Sequence, residues 1–197
     1  IFAGNILKPK ISKLKLDLRG LYYIPRIVKA SKLGDAAILK VLIKILSENR
    51  IKVIKLNTFN PELTLKKGVY TKVKPTLLEK EYINKGIKTL GKISSHNHTQ
   101  ALIIRDNKVI SRETRKGTKE MIRCIPKSKT KKGVLIKLPK AKQDLRVDLP
   151  TIGIDTFKDC NRVGIKGIVV KSNQNIILNK EVSIKYANQN NVFLSAI

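Results

Sequence analysis

Tryptophan is absent, methionine occurs once, and aromatic residues make up 5% of the 197 positions. Single-stranded nucleic acid is usually held on aromatic rings that stack its bases, so specific RNA recognition of that kind is not expected. Cys124 and Cys160 are far apart and no CxxC pair occurs, which argues against a disulfide framework or a zinc knuckle and fits a reducing compartment. No uncharged run approaches the roughly 20 residues a membrane-spanning helix needs. GxSxG, HExxH and Walker motifs are missing, and with them the simplest signatures of a serine hydrolase, a zincin or a P-loop enzyme. Acidic residues are scarce too, with 14 Asp and Glu against 42 Lys and Arg, a formal net charge of +28.

Such an excess points first to polyanions, because lysine and arginine gain affinity by releasing counterions from phosphates. Here the lysines are scattered through every segment, and Ile and Asn are abundant beside them, a composition that drift in an AT-rich genome also produces. Compositional drift and a selected polyanion surface both remain open on charge alone. With 42% hydrophobic residues the chain can bury a real core, at a length between one large domain and two small ones.

Residues 1–5, IFAGN, read as a buried strand entering a turn, and a short helix is expected over 21–30. Ile38, Val41, Leu42, Ile45 and Leu46 recur at the spacing of an amphipathic helix that begins after Gly34-Asp35, where an aspartate favours the N-terminal dipole. IKVIKL, 51–56, reads as a strand. No period holds over 57–75, which is therefore expected to join a lobe at 1–56 to one at 76–197. Thr76 to Glu79 forms a capping box, predicting a helix over 77–94. ALII and KVIS flank Asp106-Asn107 as a hairpin, and Gly117–Cys124 reads as a helix. GVLIKL (133–138), GIVV (167–170), NIIL (175–178) and VFLSAI read as strands, and 156–163 and 180–190 as helices. Strands alternating with helices imply an α/β layer architecture.

Chemistry is expected mainly in QDLRVDLPTIG, Gln143 to Gly153. Asp144 and Asp148 are four apart, so a strand would point both to one face, where they could offer oxygen ligands to a hard divalent cation. Gln143 and Arg146 add donors for phosphate. A surface strand with an Asp-Arg-Asp ion ladder fits the same pattern. Leu-Pro-Thr-Ile-Gly ahead of a helix shifts the balance toward the C-terminal edge of a sheet, where α/β proteins commonly bind ligands. In ETRKGTKE, Glu113 ends a strand and Gly117-Thr118 opens a helix, an arrangement that suits an anion or an ordinary cap. His96 and His98 read as a solvated loop, and GIKG at 164–167 as a turn.

With FAGN near the start, KLGDAAIL at 32–39, TQALII at 99–104, E-x-x-x-G-T from Glu113 and K-x-K-Q-D-x-R-V-D-L-P-T-I-G from Lys140, the chain resembles the UDP-2,3-diacylglucosamine pyrophosphatase family of the lipid A pathway, the LpxI type. The motifs keep the family's order along essentially the whole chain. The resemblance implies two α/β lobes, an incomplete Rossmann-like one and a C-terminal mixed-sheet domain, with substrate held between them. It implies hydrolysis of the diphosphate of UDP-2,3-diacylglucosamine to UMP and 2,3-diacylglucosamine 1-phosphate with Mg²⁺ or Mn²⁺, in the cytoplasm of a Gram-negative bacterium, at the inner-membrane surface where the acyl chains lie.

Carried over residue by residue, the resemblance makes Asp148 the catalytic, metal-binding carboxylate and Asp144 its second ligand or base. Gln143 and Arg146 would hold phosphate oxygens, and Gly117 and Thr118 an anion or the sugar. Gly4, Asn5, Gly34, Asp35, Glu113 and Thr151 complete the expected substrate-binding set. The family's pattern starts well upstream of Ile1, so the resemblance implies an N-terminally truncated form whose bare sheet edge is prone to pair with another chain, making a homo-oligomer an expected state. Two departures bear on the site: the family's acidic E-G-T-D reads Lys116 to Lys119, and its Gly-Gln reads Thr99-Gln100. A decayed, inactive relative and a basic polyanion binder are the alternatives.

Overall fold

The computed structural model describes residues 15–94, 99–141 and 143–197. The strand expected at IFAGN, with Gly4 and Asn5, lies outside these residues, as do His96 and His98. The described chain divides into two units. One comprises 15–56 with Arg146–Asp148, the other 57–145 with 149–197.

In the first unit, helix α1 (Leu18–Ser31) packs against α2 (Asp35–Glu48). Asp17 caps α1 by accepting a hydrogen bond from the Gly20 N–H at 2.7 Å. Gly34 precedes α2 with φ at 103°, a left-handed backbone that L side chains seldom adopt. The Arg26 guanidinium bridges the helices, donating to both Glu48 carboxylate oxygens at 2.9 and 2.7 Å. α1 is longer at both ends than the expected 21–30.

The strand expected at 51–56 does not form. Residues 51–55 have no regular structure and Leu56 opens a short helix α3 (Leu56–Phe59). A strand needs a partner for its ladder, and none of the described strands pairs with this segment.

The second unit continues through a 3₁₀ turn (Pro61–Leu63) and strand β1 (Gly68–Val69) into α4 (Leu77–Ser94). Strands β2 (Ala101–Arg105) and β3 (Lys108–Arg112) form the expected hairpin, turning through Asp106 and Asn107 at φ 48° and 56°. Helix α5 (Gly117–Arg123) and strand β4 (Val134–Lys137) come next. They are followed by β5 (Thr151–Ile152), α6 (Ile154–Arg162), β6 (Gly167–Val170), β7 (Ile176–Ile177), α7 (Lys180–Gln189) and β8 (Phe193–Ala196). Six strands form a mixed sheet in the order β1-β8-β6-β4-β2-β3, in which β4, β6 and β8 are parallel, while β5 and β7 form a separate parallel pair.

The chain is thus mixed α/β, and its sheet is covered on both faces, so β2, β4, β6 and β8 read as continuous apolar runs instead of alternating ones. Alternate residues of each strand still go to opposite layers. Ala101, Ile103, Leu135, Ile168 and Leu194 pack with Met121, Phe157, Cys160 and Ala187 of α5, α6 and α7. Leu102, Ile104, Ile136, Val169 and Phe193 pack with Tyr82, Ile83 and Leu90 of α4. α4 lies so close to the sheet that a Cβ at Gly86 would sit 1.9 Å from Ile136 Cδ1, which explains a glycine in mid-helix. The capping box expected at Thr76 is formed: the Thr76 N–H and hydroxyl both donate to Glu79 Oε2, at 2.7 and 2.8 Å. Cys124 is exposed, Cys160 is buried, and both are free thiols.

Candidate functional site

The parallel strands end together at Lys137, Val170 and Ala196, and antiparallel β2 brings Ala101 opposite Lys137. Beyond this edge the ladder stops, and the last backbone groups must find side chains, water or a ligand. Four stretches of the second unit supply those side chains: Thr99-Gln100 entering β2, Glu113 to Thr118 leaving β3, Lys137 to Gln143 leaving β4, and Asn175 ahead of β7.

Glu113 organises the edge. Each oxygen of its carboxylate, in a residue 6% exposed, takes a different donor. The Thr118 hydroxyl donates to Oε1 at 2.6 Å and the Gln100 backbone N–H to Oε2 at 3.0 Å. The Glu113 carbonyl accepts from the Thr99 hydroxyl at 2.9 Å. Lys137, equally buried at the last position of β4, donates from Nζ to Thr118 Oγ1 at 2.5 Å and lies 4.0 Å from Glu113 Oε1. Thr118 therefore bridges a buried ion pair. Burial holds the Lys137 ammonium below the usual lysine range; Glu113 opposes that shift and Lys140 adds to it.

Asn175, 1% exposed, donates to the Lys137 carbonyl at 3.1 Å and accepts from the Lys171 N–H at 2.9 Å, tying the end of β4 to the loop beyond β6. The Gln100 Oε1 is buried without a hydrogen-bond partner among the described residues. Leaving such an acceptor unmet costs about 1–3 kcal/mol.

The QDLRVD segment is not a strand. It runs through irregular backbone with a turn at 145–147, so alternation cannot place Asp144 and Asp148 on one face. Leu145 and Val147 are half-buried here without a ladder, and pairing resumes only at Thr151, which lies opposite Ile176. Gln143 and Asp144 belong to the second unit, Arg146 and Asp148 to the first. Both aspartates are half-buried, and Asp144 and Arg146 are each engaged by a neighbouring group. Gln143 closes a turn by accepting from the Lys140 N–H at 2.9 Å through Oε1, which leaves its amide N–H₂ for other acceptors. Thr151 is exposed and its hydroxyl donates to the Leu149 carbonyl at 3.1 Å.

Gly117 adopts φ 87° at the start of α5, and its neighbour Thr118 turns its hydroxyl inward to Glu113. In the first unit, Gly34 and Asp35 stand at the start of α2; the Asp35 side chain lies outside the described set. Of the expected residues, the structure joins Glu113 and Thr118 in one network with Lys137 and Gln100. The sequence reading did not assign a role to Lys137, Gln100 or Asn175. The available signal was a lysine closing the apolar run VLIK, where a surface lysine would have ended the strand one residue earlier.

Among the described residues no three His, Cys, Asp or Glu side chains gather into a ready-made cation cage. Mg²⁺ asks for less, commonly taking one or two carboxylates and completing its shell with water and substrate phosphates. Asp144 and Asp148 each carry a half-buried carboxylate, the donor type that such an ion takes.

Comparison with known proteins covers both units. The model of the LpxI N-terminal domain matches residues 1–63 and that of the LpxI C-terminal domain residues 66–195. The UDP-2,3-diacylglucosamine pyrophosphatase LpxI of Caulobacter vibrioides is 29% identical over 204 residues, an alignment that takes in 100% of this chain and 73% of the Caulobacter protein. With both domain models matched in order, and the C-terminal one alone covering more than half of its length, the chain belongs to the LpxI family.

Proposed function

We propose that this protein hydrolyses the diphosphate of UDP-2,3-diacylglucosamine, releasing UMP and 2,3-diacylglucosamine 1-phosphate in lipid A biosynthesis, with Mg²⁺ or Mn²⁺ as cofactor. The observation that carries this reading is the unbroken K-x-K-Q-D-x-R-V-D-L-P-T-I-G motif in a chain matched by both LpxI domain models. Asp148 and Asp144 would hold the cation through carboxylate oxygens. When bound, such a cation neutralises diphosphate charge and lowers the pKa of an attacking water.

The protein's own groups do the rest. The Arg146 guanidinium, exposed and planar, suits two oxygens of one phosphate. The Gln143 amide, with its oxygen already satisfied by Lys140, has N–H groups to offer a phosphate oxygen. The Glu113–Thr118–Lys137 network ties the ends of β3 and β4 to the start of α5, so these three groups need not reorganise when charge shifts beside them. In this reading the lipid substrate would be met at the cytoplasmic face of the inner membrane, as the resemblance implies; no described helix is long and apolar enough to cross a membrane.

Replacing Asp148 tests this assignment. Asp148→Ala is expected to lower kcat by about two orders of magnitude or more while leaving the circular dichroism spectrum unchanged. Full metal-dependent turnover in that variant would remove Asp148 from the site.

A further inference from the structure

Helix α4 turns two faces to different surroundings. Tyr82, Ile83, Gly86 and Leu90 are buried on the sheet side, while Glu81, Lys85, Lys88 and Lys92 recur at helical spacing along the exposed side. A groove of about 520 Å³ runs along that side and is walled by the exposed Arg112 at the end of β3. Its cations, Lys85, Lys88, Lys92 and Arg112, meet a single carboxylate, that of Glu81. Lys85 is held from outside the helix, its Nζ donating to the Asn107 carbonyl of the β2–β3 turn at 2.5 Å. Thr89, also in the lining, spends its hydroxyl hydrogen on the Lys85 carbonyl at 2.8 Å, so positive charge dominates what the groove offers a ligand.

We propose that this groove docks the chain on a bilayer of anionic phospholipid, its lysines and arginine taking phosphate oxygens of the headgroups. The lining chooses among polyanions. Among the described residues that form it there is no aromatic ring, so nucleotide bases would find nothing to stack on. Its apolar contribution is the half-buried Ile93, not the large aromatic anchor that concentrates binding energy in protein interfaces. A charged bilayer asks for neither: its surface potential attracts clustered lysines, whose stems can lie along the headgroups with the ammonium groups in water. Arg112 is followed by Glu113, which organises the sheet edge, so docking here brings that edge to the surface where a lipid substrate lies. The docking surface deepens the function proposed above and rests on it for the lipid character of the substrate.

Binding of the full chain is measured by co-sedimentation with vesicles of phosphatidylcholine alone and of a three-to-one mixture of phosphatidylcholine and phosphatidylglycerol. The groove variant carries Lys88→Gln, Lys92→Gln and Arg112→Gln. The control carries Lys127→Gln, Lys129→Gln and Lys132→Gln, which remove the same charge from exposed positions in the loop between α5 and β4, at the other end of β4 from Lys137. Melting curves check each fold, and Lys88→Glu alone serves as a second probe should the groove variant melt early. A single-stranded oligonucleotide is titrated in a parallel series, and UMP release is followed from substrate in detergent and in the mixed vesicles.

The wild type is expected to bind the mixed vesicles and not the neutral ones, the groove variant to bind them about 100-fold more weakly, and the control to stay within about threefold of wild type. The groove variant should keep the wild-type rate on substrate in detergent and fall below it on vesicles. Equal loss in the two triple variants would assign binding to diffuse charge and overturn the surface. So would no loss in the groove variant, equal binding to both kinds of vesicle, or groove-dependent binding of the oligonucleotide that is tighter than that of the mixed vesicles. A wild type that hydrolyses UDP-2,3-diacylglucosamine while failing in one of these ways overturns this inference alone. A wild type that binds the mixed vesicles through the groove and releases no UMP overturns the proposed function alone.

Discussion

Lys137 and Glu113 are each less than a tenth exposed and share Thr118 between them. Two charges buried this way need each other, because the Coulomb attraction offsets a desolvation cost that neither can meet alone. Lys137→Met or Glu113→Gln alone strands one buried charge and is expected to lower unfolding stability by about 3 kcal/mol. The double variant, which removes both, is expected to recover most of that loss. Urea denaturation of the four proteins measures the coupling, and additive losses would contradict the pairing. The unmet Oε1 of Gln100 makes a second residue-scale claim: Gln100→Met, which removes a buried acceptor that has no partner among the described residues, is expected to cost little or no stability in the same denaturation experiment, and a loss above about 2 kcal/mol would contradict it.

At the scale of elements, α4 is held by its cap. Burial raises the Glu79 pKa, but the hydrogen bonds from Lys166 at 2.7 Å and from Thr76 outweigh it and hold the carboxyl below its ordinary value. A carboxyl with a depressed folded pKa stabilises fully above its unfolded pKa and loses that contribution as the pH falls through the folded one. Glu79→Gln is therefore expected to be about 1–2 kcal/mol less stable at neutral pH, with the gap from wild type closing in acid. A gap that stays constant with pH would show that the carboxylate's charge is not what matters.

This cap was legible in the sequence because its signals are local: a Thr-x-x-Glu box followed by an apolar face, all within one helix. The hairpin at Asp106-Asn107 and the buried runs VLIK, GIVV and FLSA were legible for the same reason. IKVIKL looked like a strand because alternation records only a residue's own preference, whereas a ladder also requires a neighbour. QDLRVD misled similarly: its polar spacing resembled one face of a strand, yet the chain turns at 145–147. The role of Lys137 was hidden because its partners arrive from β3 and α5, far away in sequence.

Across the molecule, a formal charge of +28 acts on every other term. Like charges confined to a compact state repel one another, and salt screens them within about 8–10 Å at ordinary ionic strength. The melting temperature is expected to rise by several degrees between low and moderate NaCl, and a flat response in calorimetry would mean that the lysines lie too far apart to interact. A groove of about 520 Å³ along α4, lined by Lys85, Lys88, Lys92 and Arg112 with Glu81, is one place where that charge is concentrated.

The central claim is hydrolysis of a lipid-linked nucleoside diphosphate, and release of UMP from UDP-2,3-diacylglucosamine tests it most directly. The assay is run with Mg²⁺ or Mn²⁺, with EDTA, and with the Asp148→Ala variant beside the wild type. The account predicts UMP in proportion to added metal, none with EDTA and almost none from the variant. A folded wild-type protein that releases no UMP with either metal, or releases it equally well in EDTA, would contradict it.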